Sequence, residues 1–377
     1  MIIDRILSCE EIISGDSAEN SASVVSELLP EHQYTREQPF YIDITKVNSE
    51  VRASLEQTFS QKVSALRKIH LFSFRQGVVF GQGSVVTANS ALIRDSVAEF
   101  INHNLAPEGS TASGTSFKID NFDNLRCLHG TSVLVKRPWY RNYGHWLVDL
   151  MPILPLLEKG NFVVNNIIFG DVPEGNLKLM MEKSAALLYP TANVVFAGDH
   201  EVLKCEQLYY VRPVHVPPLF KHPDAITQSV ELSRKLFPSS SSIKHKRVYI
   251  SRNKTNTRRI VNEEELTSVL SANGFVTIYP ESMNISEQIA IFENSEVTIG
   301  VKGAAFTNSI FCNKNCHIVL LSPPRFTDPF FWDLISQRGI KFSEIYCREP
   351  DNQTSTDISN TDLHVNMESI SALMKLL

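Results

Sequence analysis

The segment at residues 296–311 reads EVTIGVKGAAFTNSIF, which is the pattern of a strand that turns directly into a helix. Residues 297–299 predict a short buried strand, and residues 300–303 predict a tight turn. A helix is expected to begin at Gly303 or Ala304, so that its first N–H groups lie free at the end of a sheet. The alternative is that the glycines serve only the geometry of the turn.

This turn predicts an anion-binding site. A helix N-terminus favours a negative charge by roughly 0.3 to 1 kcal/mol. Gly303 would let a ligand approach the backbone closely, and Lys302 adds a full positive charge beside it. A phosphate group is the expected ligand.

Length and composition limit the classes of protein. The chain has 377 residues, of which 43% are hydrophobic, and this is enough for two domains because single cores stop growing near about 250–300 residues. The net charge of -5 gives no global basic field, so nucleic acid is disfavoured as a partner. No export signal and no apolar run of about 18 residues appears, which predicts a cytoplasmic protein and is compatible with peripheral contact with the inner face of the plasma membrane.

Strand and helix patterns alternate from residue 131 onward, which predicts an α/β protein. We expect an N-terminal, acceptor-side domain at 1–225, made of a β-rich portion at 1–115 and a Rossmann-like portion at 116–225. Proline-rich and serine-rich stretches then predict a boundary near residue 225, followed by a second Rossmann-like domain at 226–377.

The second domain shows three successive β-α-β units. Its strands are predicted at residues 247–251, 275–279, 297–299 and 317–322, and its helices at 263–273 and 286–294. We expect Asn262 and Glu265 to cap the first of these helices. Ligands of such sheets bind where the strands end at their carboxyl side.

Cationic residues follow these strand ends. The first loop brings Arg252 and Arg259 together with Lys254 and Arg258, and the third brings Lys302. We expect the guanidinium groups and Lys302 to hold a diphosphate. Glu281 follows the second strand and suits the hydroxyls of a ribose. The structural alternatives are a solvated surface loop for the arginine run and a helix-cap acid for Glu281.

His145 and Asp149 are four residues apart in the apolar stretch YGHWLVDLMPILPLLEKG at residues 143–160. This spacing places them on one face of a helix that Pro152 and Pro155 should kink or split. A desolvated Asp149 would have a raised pKa and would suit a base that removes a proton from a sugar hydroxyl. The alternatives are that His145 and Asp149 form a structural pair, or that Asp149 caps a neighbouring loop.

The sequence lacks the motifs that are typical of several kinds of enzyme chemistry. No Gly-x-Gly-x-x-Gly follows an early strand, and no phosphate-binding Gly-x-x-x-x-Gly-Lys-Ser/Thr or Gly-x-Ser-x-Gly elbow is present. The histidines are scattered along the chain, no Asp-x-Asp triplet occurs, and Cys312 and Cys316 have no second pair at zinc-like spacing. We therefore expect a reaction that needs neither a metal nor a cofactor.

Four motifs in order resemble glycosyltransferase family 61. They read NYGHWLVDLMPIL, YISR followed by RRIVNEEEL, PESMNISEQIAIFENSEVTIG, and GAAFTN. The resemblance covers residues 131–322 and implies a GT-B architecture, in which two Rossmann-like domains face a cleft. It implies an inverting, metal-independent transfer from a nucleotide sugar, expected to be UDP-linked, to a carbohydrate or glycolipid hydroxyl.

The residue patterns described above give each candidate a role in such a transfer. Asp149 would act as catalytic base beside His145. Donor binding would fall to the set Arg252, Arg259, Glu281, Lys302, Gly303 and Ala304. The absence of an anchor makes the chain similar to bacterial members of capsule and lipopolysaccharide assembly. Lys302 stands where the family has a histidine, which leaves an inactive sugar-nucleotide or glycan binding protein as the alternative.

Overall fold

The computed structural model describes residues 1–17, 19–102, 105–113, 116–240, 243–255, 257–350 and 357–377, and it confirms a mixed α/β protein. Its strands are Ile2–Ile3 (β1), Arg5–Leu7 (β2), Ala22–Leu29 (β3), Tyr41–Asp43 (β4), Ile69–Phe80 (β5), Ser84–Val86 (β6), Ala91–Ile93 (β7), Ser110–Ser113 (β8), Ser116–Ile119 (β9), Arg126–Val135 (β10), Asn166–Gly170 (β11), Asn193–Ala197 (β12), Leu203–Val211 (β13), His215–Val216 (β14), Phe220–Lys221 (β15), Arg247–Ile250 (β16), Val276–Ile278 (β17), Val297–Val301 (β18), His317–Ser322 (β19) and Lys341–Tyr346 (β20).

The α-helices are Cys9–Ser14 (α1), Ser49–Ser60 (α2), Arg94–Asn102 (α3), Tyr143–His145 (α4), Ile153–Lys159 (α5), Asn176–Leu188 (α6), Pro223–Leu236 (α7), Glu263–Ala272 (α8), Ile285–Asn294 (α9), Phe330–Ser336 (α10) and Met367–Met374 (α11). Short 3₁₀ segments lie at Phe122–Asn124, Pro280–Ser282 and Ala304–Phe311, and a π-helical turn lies at Trp146–Leu150.

The chain divides into two compact units. The first unit comprises Met1–His32, Leu66–His215 and Asp224–Leu232, and the second comprises Gln33–Ala65, Val216–Pro223 and Ser233–Leu377. The boundary expected near residue 225 falls inside α7. The segment Gln33–Ala65, which the sequence analysis assigns to the N-terminal domain, lies instead in the second unit.

Pairing and charge explain where this segment lies. Strand β4 pairs in parallel with β20, with Tyr41 opposite Ser343. Arg36 donates to Asp333 over 2.5 Å, and both side chains are buried. A buried charge is stable only when it is paired, so this contact holds the segment in the second unit. The sequence carries no local signal for a partner almost 300 residues away.

The first unit is built on one mixed sheet. Its strand order is β12-β11-β10-β13-β5-β6-β7-β2, and β3 also pairs with β5. Strands β12, β11, β10 and β13 run parallel to one another, whereas β5 runs antiparallel to β13. The β-rich portion at 1–115 is therefore not a separate module, because β5 continues the sheet of the following residues along the whole length of β13.

The second unit has a parallel sheet of order β17-β16-β18-β19-β20-β4. Every residue of β18 and β19 is buried, as expected for central strands of a parallel sheet that is covered on both faces. The strand predicted at 317–322 is confirmed to the residue. The helix expected after β18 is a 3₁₀ helix, and Asn262 makes no side-chain cap on α8 because its Oδ1 accepts from Val365 N–H.

In the described part of the chain, no helix combines the length and the apolar character that crossing a bilayer requires. All six cysteines are free thiols, and all but Cys127 are buried.

Candidate active site

The stretch after β10 forms a broken helix. Asn142 caps α4 by accepting from the Gly144 N–H over 2.7 Å. A π-helical turn at Trp146–Leu150 follows, and α5 starts only at Ile153. The predicted split is thus confirmed, since Pro152 has no N–H to continue the helical bonding. Single π-helical turns are common at functional sites.

His145 and Asp149 are in contact, as their spacing predicts, and a third residue joins them. His145 Nδ1 lies 2.7 Å from Asp149 Oδ2, and His215 Nδ1 lies 2.7 Å from Asp149 Oδ1. An ionised carboxylate only accepts hydrogen bonds, so each ring donates its Nδ1–H. In its neutral form, an imidazole held in this way carries its lone pair on Nε2. The side chain of His145 is 25% exposed, and that of His215 is 3% exposed.

The expected rise in the pKa of Asp149 is wrong. Burial alone would raise this pKa, but the charges of His215 and His145, together with their hydrogen bonds, hold it well below its ordinary range. Such a carboxylate does not readily take a proton from a sugar hydroxyl. The geometry instead makes Asp149 the group that orients two imidazole rings.

His215 is the residue that the sequence analysis missed. It lies 66 positions after Asp149, in a proline-rich stretch interpreted as an interdomain crossing. The sequence carries no local signal for this contact, because it depends on β10 and β13 being adjacent parallel strands whose carboxyl ends share one edge of the sheet. His145 follows the first of these strands and His215 the second, so the topology brings them together.

This cluster could also hold a cation. One ligand atom from each of His145, Asp149 and His215 lies within 4.8 Å of the other two. Two imidazoles and one carboxylate are a ligand set for first-row transition metals. The histidines are scattered along the chain, but the fold brings His145 and His215 together. It thereby creates a candidate metal site that no linear spacing reveals.

In the second unit, Lys302 does not have the environment expected of a phosphate ligand. It is 2% exposed, and its Nζ lies 2.8 Å from Glu344 Oε1. The same ammonium donates to the carbonyl of Asp328 over 2.8 Å. Its charge is therefore already neutralised inside the protein, which contradicts the expectation that it is available to a diphosphate.

Arg252 and Arg258 are the desolvated cations beside this turn instead. Arg258 Nη1 donates to the Lys302 carbonyl over 2.7 Å, and Arg252 Nη1 lies only 2.6 Å from where a Cβ of Gly303 would be. The φ of Gly303 is 175°, which any residue can adopt, so the glycine serves the close approach of the Arg252 guanidinium, which would have to shift to make room for a Cβ. In the described residues, neither guanidinium is in salt-bridge contact with a carboxylate.

The electrostatics of these arginines favour an anion. Burial lowers the pKa of Arg252, while the charge of Glu281 opposes this shift. Burial and the neighbouring Arg252 charge lower the pKa of Arg258 to about 10. Two desolvated cations that repel each other would be stabilised by a bound anion.

The remaining predicted donor residues separate into two groups. Glu281 lies in the 3₁₀ segment after β17, close enough for its charge to act on Arg252, and Ala304 begins the 3₁₀ helix after Gly303. These residues therefore lie at the expected edge of the sheet. Arg259 does not join them, because its guanidinium pairs with Asp362 over 3.0 Å and is largely exposed.

Comparison with known protein families gives one match. The family model described as Glycosyltransferase 61 matches residues 143–319, which confirms the resemblance drawn from the motifs. The matched region begins at α4 and ends within β19, so it contains His145, Asp149, His215, Arg252 and Arg258. No curated protein sequence matches the chain significantly.

Proposed function

Because residues 143–319 belong to glycosyltransferase family 61, we propose that this glycosyltransferase moves a sugar from a nucleotide-sugar donor to a carbohydrate or glycoconjugate hydroxyl with inversion. The observation that carries the proposal is the carboxylate of Asp149 held between the imidazoles of His145 and His215. This arrangement orients an imidazole on a partly exposed ring, and in the neutral form of that ring Nε2 is a nitrogen base.

In the proposed step, His145 Nε2 takes the proton from the acceptor hydroxyl. The acceptor oxygen forms a bond to the anomeric carbon, the bond from that carbon to the diphosphate oxygen breaks, and the nucleoside diphosphate leaves with the electron pair. Attack from the opposite side inverts the anomeric centre. Asp149 stabilises the imidazolium that forms, since its charge lies 2.7 Å from His145 Nδ1.

The donor diphosphate is proposed to bind Arg252 and Arg258 beside Gly303. Guanidinium groups present paired donors that match phosphate oxygens, and burial strengthens their electrostatic effect. Glu281 is proposed to accept from the ribose hydroxyls. Lys302 and Arg259 are left out of the donor contacts, because each already has a carboxylate partner.

Metal independence, a UDP-linked donor and the GT-B architecture are parts of the same proposal. Two desolvated arginines could neutralise the leaving diphosphate without a divalent ion. The motifs shared with the family support the GT-B architecture and a role in surface polysaccharide assembly at the cytoplasmic face of the membrane.

The test is a transfer and donor-hydrolysis assay with a panel of nucleotide sugars, run with and without EDTA. We expect turnover with one nucleotide class, and we expect it to survive chelation. If EDTA abolishes turnover and manganese or magnesium restores it, the metal-free mechanism is wrong. A His215→Ala variant then shows whether the metal binds the histidine cluster, since that variant would lose the response to metal.

A sugar-nucleotide binding protein without catalysis is the competing proposal. The observation behind it is the buried lysine at the position where the family has a histidine. Nucleoside diphosphates that raise the melting temperature, without transfer or hydrolysis of any donor in the panel, would favour it.

A further inference from the structure

Trp139 is exposed, whereas the other two tryptophans are buried. The chain has three tryptophans, and Trp139 is 61% exposed whereas Trp146 is 0% and Trp332 is 1% exposed. Its backbone has a φ of 67°, in the left-handed region that bulky side chains rarely adopt. Both the exposed indole and the strained backbone cost free energy.

The surrounding contacts enforce this conformation. The carboxylate of Asp199 accepts from Tyr140 Oη over 2.9 Å and from Arg141 Nη1 over 2.7 Å, and it pairs with Lys136 Nζ over 3.0 Å. The chain is therefore fixed to one buried acid on both sides of Trp139. Residues in strained conformations persist where such contacts over-determine them, and they concentrate at functional sites.

A glycine completes this support. The Tyr140 ring packs directly on Gly170, where a Cβ would lie 2.0 Å from Tyr140 Cδ2. Tyr140 is itself buried, so its ring cannot move away to relieve the backbone of the preceding residue. The segment presents the indole as a rigid surface.

The indole lies next to the proposed base. The rings of Trp139 and His145 are nearly parallel, with an interplanar angle of 24° and centroids 6.4 Å apart. The exposed indole is therefore a direct neighbour of the imidazole that the proposed step uses. The reacting hydroxyl of an acceptor must come to the same place.

We propose that Trp139 is the platform on which a pyranose ring of the acceptor stacks. A pyranose has an apolar C–H face and a rim of hydroxyls, which suits a rigid aromatic surface beside a hydrogen-bonding imidazole. The rest of the acceptor would extend over Trp139 away from His145. This inference rests on the proposed function, because it names the acceptor class of the same site.

The test compares the full-length chain with Trp139→Asn, Trp139→Phe and Val163→Asn. Asparagine accepts a left-handed backbone, so Trp139→Asn removes the ring without adding strain. Val163→Asn is the matched control, since it removes another exposed apolar side chain of the same unit. Each protein is applied to a glycan array, and each bound glycan is titrated by intrinsic fluorescence.

We expect the wild-type chain to bind glycans with a terminal pyranose and to change its tryptophan emission, because only Trp139 is exposed among the three indoles. Trp139→Asn should weaken this binding at least tenfold, Trp139→Phe should weaken it less, and Val163→Asn should not change it. The melting temperature of Trp139→Asn should equal or exceed that of the wild type, because strain is released.

Several results would overturn the proposal. They are the absence of glycan binding by the wild type, binding without a change in emission, and equal binding by Trp139→Asn. Weaker binding of nucleoside diphosphates by Trp139→Asn would also overturn it, since the indole would then stack on the donor base. Glycan binding that depends on Trp139 without transfer to any bound glycan would refute the transferase mechanism and leave the platform intact.

Discussion

Asp149 in the first unit and Asp333 in the second are both carboxylates held by basic groups, but the basic groups differ. Asp149 accepts from two imidazoles, each over 2.7 Å, and one of these rings is partly exposed. Asp333 is fully buried and accepts from Arg36 over 2.5 Å, Lys221 over 2.9 Å and Tyr34 over 2.7 Å.

The difference separates a structural cluster from a chemical one. Arginine and lysine only donate hydrogen bonds, and the Tyr34 hydroxyl donates to Asp333 while it accepts from the Lys221 N–H, so no partner of Asp333 offers a nitrogen base. An imidazole that donates from Nδ1 still has Nε2, which can accept a proton from another molecule. Burial raises the pKa of both carboxyls. The neighbouring charges lower it by more than burial raises it, so both carboxyls remain ionised. The partners therefore give the two aspartates different roles.

The largest effect is expected from Asp149→Asn. The amide offers one oxygen to two Nδ1–H donors and turns its NH₂ group toward the other ring, so one imidazole must adopt the wrong tautomer or lose its contact. Turnover should fall by about 10² to 10⁴, while donor affinity should stay the same. Steady-state kinetics and nucleotide titration on one preparation measure both quantities. Near-normal turnover would show that the cluster of His145, Asp149 and His215 takes no part in the catalytic step.

Asp333→Asn should give the opposite result. It leaves the charges of Arg36 and Lys221 buried without their counter-ion, and breaking a buried pair in this way costs about 3–5 kcal/mol. Denaturant unfolding should show this loss in the free energy of unfolding, whereas the turnover of the protein that remains folded should match the wild type. A large loss of turnover with unchanged stability would reverse the roles assigned to the two aspartates.

The neighbours Arg258 and Arg259 extend the comparison to the donor side. Arg258→Ala should weaken nucleoside diphosphate binding by about 1.5–3 kcal/mol, because a charge-assisted contact is lost. Arg259→Ala removes an exposed pair with Asp362 and should leave binding nearly unchanged. Isothermal titration of the two variants decides the assignment, and equal losses would contradict it.

The smallest effect concerns pH. The folded pKa of Asp333 lies below its ordinary value of 3.8, so its ionised form stabilises the protein above that value. The contribution is lost as the pH falls through the lower folded pKa. The stability advantage of the wild type over Asp333→Asn should thus be constant between about pH 7 and about pH 5 and should narrow below about pH 4. An advantage that grows on acidification would show the opposite sign of the pKa shift.

The sequence by itself determined the α/β class, the parallel strands of the second unit, the broken helix and the contact between His145 and Asp149. These features depend on neighbours a few residues apart, and the apolar pattern and helical spacing report such neighbours directly. The motifs also identified the family, which the match over residues 143–319 confirms.

Only the tertiary structure decided the charge state and the partners of the site residues. His215 reaches Asp149 because two parallel strands end side by side, and Glu344 neutralises Lys302 because β20 brings it there from 42 positions along the chain. The sequence shows that Lys302, Arg258 and Arg259 are all cations. Whether a cation is free for a ligand depends on which carboxylates the folded chain places against it, and those contacts are made between strands, loops and segments far apart in sequence.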